Sequence, residues 1–134
     1  TLAPVTVFTD PELARVGLTT AEAVDRHGER VVKVHDHELA HEDRARIDRS
    51  TSGVVRIITA RSKIVGAHVL APDAGDIISA LAIAVRFSMS LRELGSVPMV
   101  YPTLSTAISR IAAENEFARA RRLRQLARLS RWSG

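Results

Sequence analysis

Apolar residues follow a strand-like spacing up to Pro72 and a helical spacing beyond it. The segments Val5–Thr9 and Val31–Glu38 are rich in β-branched residues, and the second alternates between two faces, so both are predicted to be strands. Val54–Thr59 and Lys63–Leu70 are further strand-like runs separated by a short turn. Together these two runs predict an antiparallel hairpin.

Signals for the start of a helix occur in five places, as a Pro at a first helical position, a Ser or Thr cap, or a periodic apolar run. The predicted helices begin at Pro11, after Thr19 or Thr20, at Asp73, after Ser90 and at Thr103. Gly28 and Gly95 are expected to end the second and the fourth of them.

The order of these elements is not a series of βαβ units, and it predicts an α+β fold with an antiparallel β-sheet packed with helices mainly on one face. Gly66 lies inside the last predicted strand, which indicates a bulge or the close approach of another element. In the helix from Asp73 to Phe87, six consecutive apolar residues at 80–85 surround the axis. Since one sheet covers only one side of a helix, we expect a partner on the other side.

The composition is that of one globular domain, with 46% hydrophobic and 25% charged residues among 134. The chain has no cysteine, which excludes disulfides, thiolate metal sites and a cysteine nucleophile within it. Neither a membrane span nor a signal peptide is predicted, and the expected location is the cytoplasm. Because the sequence begins with Thr1 rather than Met, we expect it to be a piece of a longer polypeptide.

Positive charge is concentrated near the C-terminus. The chain has 19 Lys and Arg residues against 15 Asp and Glu, but residues 119–131 hold six arginines and no acid. We therefore expect a slightly acidic domain over residues 1–116 and an arginine-rich helical tail over 117–134. Four apolar residues would share one stripe of that tail: Leu123, Leu126, Leu129 and Trp132. Such a stripe is typical of helices that bind an anionic surface or a partner helix, and a solvated terminal helix is the alternative.

Three histidines, His35, His37 and His41, have the spacing H-x-H-x3-H. Residues two apart on a strand point the same way, so His35 and His37 could bind one zinc ion, with His41 or Glu38 completing the site. Exposed histidines on a solvated strand are the simpler interpretation. No nucleophile elbow, glycine-rich nucleotide loop or P-loop occurs, so the chain does not have the residues of a self-contained enzyme.

Four segments, taken together in their order along the chain, indicate a protein family more specifically than these single patterns do. They are VFTDPELARVGLTTAEA near the start, SKIVGAHVLAPDAGDII and LAIAV in the middle, and VPMVYPTLSTAI after them. Over residues 4–113 the chain resembles the C-terminal dimerisation domain of the flavin-dependent pyridine nucleotide–disulfide oxidoreductases. This family includes dihydrolipoamide dehydrogenase, glutathione reductase and mercuric reductase.

The resemblance implies a homodimer in which this domain follows an FAD-binding and an NAD(P)H-binding domain of the same polypeptide. The loop with Tyr101 and Pro102 would reach the FAD of the partner subunit with its backbone, through a cis prolyl bond. The isolated chain would bind neither cofactor and would have no turnover of its own. The apolar helix would contribute four residues to the subunit interface: Ile77, Ile78, Leu81 and Val85.

Two positions depart from the lipoamide- and glutathione-reducing members. The resemblance places Tyr101 where they have an acid-base histidine, and Thr106 where they have the glutamate that orients it. A phenol with a pKa of about 10 is a poor base at neutral pH, whereas a histidine has a pKa of about 6.5. Tyrosine at this position resembles mercuric reductases, although the C-terminal cysteine pair of those enzymes is absent. The resemblance thus implies a mercuric-reductase-like oxidoreductase in which catalytic roles for Tyr101 and Thr106 are open.

Two other functions stay open on the residues alone. The arginine tail could make the chain a stand-alone binding module for nucleic acid or another anionic surface. The scarcity of aromatic residues, 4% of the chain, does not favour nucleic acid as a partner. The histidine spacing could instead make the chain a metal-binding domain.

Overall fold

A single five-stranded sheet organises the computed structural model, which describes residues 3–130. Its strands are β1 (Val5–Val7), β2 (Glu12–Gly17), β3 (Val32–Glu38), β4 (Val54–Ala60) and β5 (Lys63–Ala71). They lie in the order β1-β2-β5-β4-β3, and each neighbouring pair is antiparallel. The predicted α+β fold with an antiparallel sheet is confirmed.

The helices are α1 (Thr20–His27), α2 (Asp43–Ile47), α3 (Ala74–Arg86), α4 (Leu91–Gly95) and α5 (Thr106–Ser130). Short 3-10 turns lie at Glu29–Val31 and Leu39–His41. Helices α3, α4 and α5 share the main hydrophobic core with one face of the sheet. Helix α1 contacts β3, β4 and β5.

The main core lies on one face of the sheet, toward which every second residue of a strand points. Register pairs Ala14 with Val69 and Val16 with Ala67, and all four side chains are buried. Helix α3 packs across β2 and β5 at this face and buries two consecutive isoleucines, Ile77 and Ile78. Full burial of such a side chain contributes roughly 1.5–3 kcal/mol, so α3 is a major source of stability.

The predicted helix at Pro11 is wrong, because this segment forms strand β2. Ala14 and Val16 are buried while Leu13 and Arg15 are not, which is the two-residue period of a strand. Pairing with both β1 and β5 gives this segment a central position in the sheet, and those ladder hydrogen bonds override the local helix-start signal. The Asp10–Pro11 bond is cis and lies in the β1–β2 connection.

Two predicted caps are confirmed in detail. Thr19 and Glu22 form a reciprocal capping box at the start of α1, which Gly28 ends. Ser90 and Glu93 do the same at α4. Hydrogen bonds from Ser90, reinforced by Lys63, lower the pKa of Glu93 to about 2.

The last helix begins three residues later than predicted, at Thr106 rather than Thr103. Thr103 instead closes the preceding loop, since its hydroxyl donates to the carbonyl of Val100 at 2.6 Å. The polar connector before β4 also holds a helix that the sequence did not indicate, α2.

The residues expected at a subunit interface belong to the chain's own core. Ile77, Ile78, Leu81 and Val85 are all buried against this chain's sheet and helices. They are therefore not available to a partner as the domain stands. The side of α3 that stays exposed carries Ile83 and continues to Phe87, so any interface on this helix must use that side.

Gly66 lies where β5 passes the residue that follows β2. A Cβ added at Gly66 would lie 2.0 Å from the carbonyl oxygen of Leu18, so the close approach expected from the sequence is confirmed. We expect Gly66→Ala to lower the free energy of unfolding by about 1–3 kcal/mol, because the backbone must move to make room. Urea denaturation followed by circular dichroism measures this difference.

Gly75→Ala is the matched control. A Cβ at this helical position would meet nothing closer than 3.6 Å. This variant should be neutral or more stable by about 0.4–1 kcal/mol, because alanine restricts the unfolded chain. Equal destabilisation by both substitutions would contradict the steric explanation for Gly66.

Candidate functional site

The segment between α4 and α5, residues 96–105, forms an exposed loop that we call the Tyr101 loop. It contains Pro98 and Pro102, and the Tyr101–Pro102 bond is cis. Val100 and Tyr101 are 76% and 66% exposed at its surface. No residue of the loop carries a charge, so its outer surface is apolar apart from the phenol and hydroxyl groups.

Tyr101 is held by an acid from a distant part of the chain. Its hydroxyl donates to Oδ2 of Asp43, the first residue of α2, at 2.8 Å. That hydrogen bond and the negative charge of Asp43 raise the pKa of Tyr101 above its usual value. At neutral pH the side chain is therefore a neutral hydrogen-bond donor and not a base.

Directly beneath the loop, Glu42 is a buried acid, 1% exposed. Its Oε1 accepts a hydrogen bond from Nε2 of His37 at 2.8 Å and forms an ion pair with Nε of Arg110 at 2.9 Å. Its Oε2 accepts from the hydroxyl of Thr106. The carboxylate thus joins β3 to the first two turns of α5, and its charge is balanced by Arg110.

No hydrogen bond joins the side chains of Tyr101 and Thr106, the two positions singled out in the sequence. They are instead bound by two adjacent acids, Asp43 and Glu42. Sequence reasoning missed both acids, because they lie in a polar connector with no periodicity. The one available signal was that this otherwise polar connector holds two consecutive acids, Glu42 and Asp43.

The two candidate metal ligands, His35 and His37, do lie on the same face of β3, as expected. His35 Nε2 lies 3.1 Å from the hydroxyl of Thr59, and His37 is bound to Glu42. The ring of His41 packs edge-on against His37, with centroids 5.9 Å apart. Over residues 3–130, no three His, Asp or Glu side chains are grouped so that they could hold a metal ion.

A groove of about 510 Å³ runs beside the Tyr101 loop. One wall is formed by loop residues that include Met99 and Val100, and the other by the start of α3 with Asp76 and Ile77. From Asp76 the exposed side of α3 continues to Ile83 and Phe87. The groove and the exposed side of α3 therefore meet at Asp76.

The arginine-rich segment continues α5 away from the core. Residues 117–128 are all exposed, including Leu123 and Leu126 of the expected apolar stripe. Arg131 and Trp132 lie outside the described residues, as does the side chain of Leu129. Among the helices described, none is long and apolar enough to cross a membrane.

The sequence is similar to curated enzymes that are much longer than this chain. It is 34% identical over 114 residues to dihydrolipoyl dehydrogenase 3 of Haloarcula marismortui, covering 84% of this chain and 23% of that protein. It is 35% identical over 107 residues to mercuric reductase of Bacillus cereus, covering 78% of this chain and 17% of the enzyme. The chain thus spans less than a quarter of the length of either relative.

Solved structures share the fold. LpdA of Mycobacterium tuberculosis matches with a TM-score of 0.76 and 30% identity, over 84% of this chain and 25% of that one. The flavoprotein disulfide reductase RclA of Escherichia coli matches with a TM-score of 0.75 at 24% identity, over 83% of this chain and 26% of that one, and shows the same fold.

The family model described as pyridine nucleotide-disulphide oxidoreductase, dimerisation domain, matches residues 3–112. This match covers all five strands and the first turns of α5, and it agrees with the resemblance expected over residues 4–113. The chain belongs to the pyridine nucleotide–disulfide oxidoreductase family and carries its dimerisation domain.

Proposed function

We propose that this chain is the homodimerisation module of an FAD-dependent pyridine nucleotide–disulfide oxidoreductase, and that its Tyr101 loop completes the flavin site of the partner subunit. FAD and NAD(P)H would bind to domains that precede it on the same polypeptide. The chain alone would have no turnover, and the whole enzyme would act in the cytoplasm. The arginine-rich residues 117–134 would be an appendage to the domain, since the family match ends at residue 112.

The observation that carries the proposal is a pair of large apolar side chains on the exposed side of α3. Ile83 and Phe87 are 58% and 73% exposed, although the opposite side of the same helix is fully buried. Large apolar side chains grouped on one exposed face are typical of protein–protein interfaces. A second copy that covers this face would form the dimer in which the Tyr101 loop reaches the partner's flavin.

The loop suits a flavin ring as a neighbour. Its exposed residues Val100 and Tyr101 are apolar or aromatic, and the segment 96–105 has no charge that a planar ring would have to desolvate. When bound, the flavin supplies the electron-transfer chemistry of the enzyme. This chain would supply a wall that contacts the ring and excludes water.

Tyr101 and Thr106 would shape this site without taking up a proton. Asp43 keeps the Tyr101 phenol protonated, and the Thr106 hydroxyl is occupied by Glu42. Neither residue can do the work of a base with a pKa near neutrality. We therefore propose a mercuric-reductase-like enzyme whose loop does not shuttle protons for a thiol, and whose electron acceptor is to be identified.

A charge on the exposed side of α3 tests the dimer. We expect Ile83→Asp to raise the dissociation constant of the dimer by about 10- to 100-fold, since a carboxylate would be desolvated at the centre of an apolar contact. Sedimentation equilibrium over a range of protein concentrations measures this dissociation constant. Leu123→Asp is the control, because Leu123 is 58% exposed on α5, the same exposure as Ile83. A parent chain that stays monomeric at high concentration would refute the proposal.

Titration of Tyr101 tests its protonated state. The chain has one tyrosine, so the rise of tyrosinate absorbance with pH reports Tyr101 alone. Its pKa is raised by the hydrogen bond to Asp43, so the parent chain should titrate above free tyrosine, and Asp43→Asn should move the midpoint down. Asp48→Asn, in the same helix region but paired with Arg44, should leave it unchanged. A parent midpoint at or below that of free tyrosine would contradict this assignment.

A further inference from the structure

We propose that Glu42 is a positioning residue for the Tyr101 loop, because its buried carboxylate fixes the start of α5 against β3 and thereby holds the loop from below. The proposal rests on the proposed function, since the position of the loop matters to activity only if the loop is presented to a partner subunit. It assigns to the β3–α2 connector a role that neither the sequence pattern nor the family match indicates.

The burial of Glu42 requires compensation. A carboxylate that is 1% exposed costs several kcal/mol if it has no partners. Here partners from two elements surround it: hydrogen bonds from His37 of β3 and Thr106 of α5, and an ion pair with Arg110 of α5. Removing the acceptor would leave the 6%-exposed His37 without its bond and Arg110 without its counter-charge, so the four groups depend on one another.

The same connector holds the loop at two places. Thr106, which binds Glu42, is the first residue of α5 and follows the loop directly. Asp43, the residue after Glu42, binds the hydroxyl of Tyr101 within the loop. Because residues 42 and 43 are adjacent, a displacement of Glu42 also displaces Asp43, and with it the phenol of Tyr101.

Helix capping does not explain this acid. Glu42 stands at the N-cap of α2, yet its side chain makes no capping hydrogen bond. The side chain turns away from α2 to the groups beneath the loop. An apolar residue would be less costly at a position this buried, so the interactions with Thr106, Arg110 and His37 account for an acid here.

Position 106 is the one at which the family resemblance implies a glutamate. In this chain the residue is a threonine, and the carboxylate that contacts it comes from Glu42. The imidazole bound to this carboxylate is His37, which is 6% exposed beneath the loop and not at its surface. Glu42 therefore does not orient a base at position 101, and its contribution is the placement of the loop.

The first variant is Thr106→Val, which changes no charge near Tyr101 and removes the hydroxyl that both Glu42 and the carbonyl of Thr103 contact. If Glu42 positions the loop through this hydroxyl, Tyr101 should partly lose its bond to Asp43, and its titration midpoint should fall. Amide hydrogen exchange at residues 103–110 should become about 10- to 100-fold faster, the change expected for one lost hydrogen bond to a charged group. Thr106→Ser keeps the hydroxyl and should restore both values to those of the parent chain.

Glu42→Gln is the second variant and Glu114→Gln is its control. Glu114 is also an acid near His37, with its Oε1 3.9 Å from Nδ1, but its side chain is 67% exposed. Glu42→Gln should lower the Tyr101 midpoint and speed exchange as Thr106→Val does, and Glu114→Gln should change neither. Where circular dichroism shows that Glu42→Gln does not fold, Thr106→Val decides alone.

Folded Thr106→Val with the parent's Tyr101 titration and exchange would overturn the proposal, as would equal effects from Glu114→Gln. In the full-length flavoenzyme, the visible circular dichroism of bound flavin should change in Thr106→Val and not in Glu114→Gln. An unchanged flavin spectrum in a dimer would overturn the positioning role. A parent enzyme that is monomeric would instead refute the proposed function, so the two failures are distinguishable.

Discussion

The packing of α3 across β2 and β5 is the contact on which the rest of the molecule depends. It buries one side of this helix so completely that the core is closed within a single chain. On the other side, two large apolar side chains, Ile83 and Phe87, stay exposed beside the polar Asp76 and Ser79, with no cover from the described residues. The orientation of α3 therefore both closes the core and leaves the other side of the helix exposed.

A different kind of interaction sets the geometry at the loop. The core is held by non-directional apolar contacts, whereas the Tyr101 loop is tied down by two carboxylates with directed hydrogen bonds. Directed bonds fix orientation better than apolar packing does, because each tolerates only a narrow range of angles. A loop without charges of its own is thus positioned by Asp43 and Glu42, acids that belong to another segment.

Local signals predicted most of the elements. The capping box at Thr19, the cap at Ser90 and the β4–β5 hairpin depend on neighbouring residues, and the structure has all three. Strand β2 was mistaken for a helix because Pro11 gives a local helix signal, while the pairing that makes it a strand comes from β5, more than fifty residues away.

The site was predictable only in part, for the same reason. The prolines near Tyr101 indicate a constrained loop. The four sequence motifs identify the family, and the expected role of the loop comes from that family. The partners of Tyr101 and Thr106 are 58 and 64 residues distant along the chain, so no spacing rule connects them. The four residues expected at an interface on α3 are buried in the chain's own core, because an apolar run does not tell which side of a helix meets the sheet.

The unbroken course of α5 links the buried acid to the basic end of the chain. The helix has 25 residues, which at about 1.5 Å per residue makes a rod of roughly 37 Å. Its first turns are clamped by Glu42, and its far half is free of the core. A tilt of the helix at Glu42 would move the arginines at its far end more than the residues beside Glu42, so the position of these arginines depends on the carboxylate that holds Thr106.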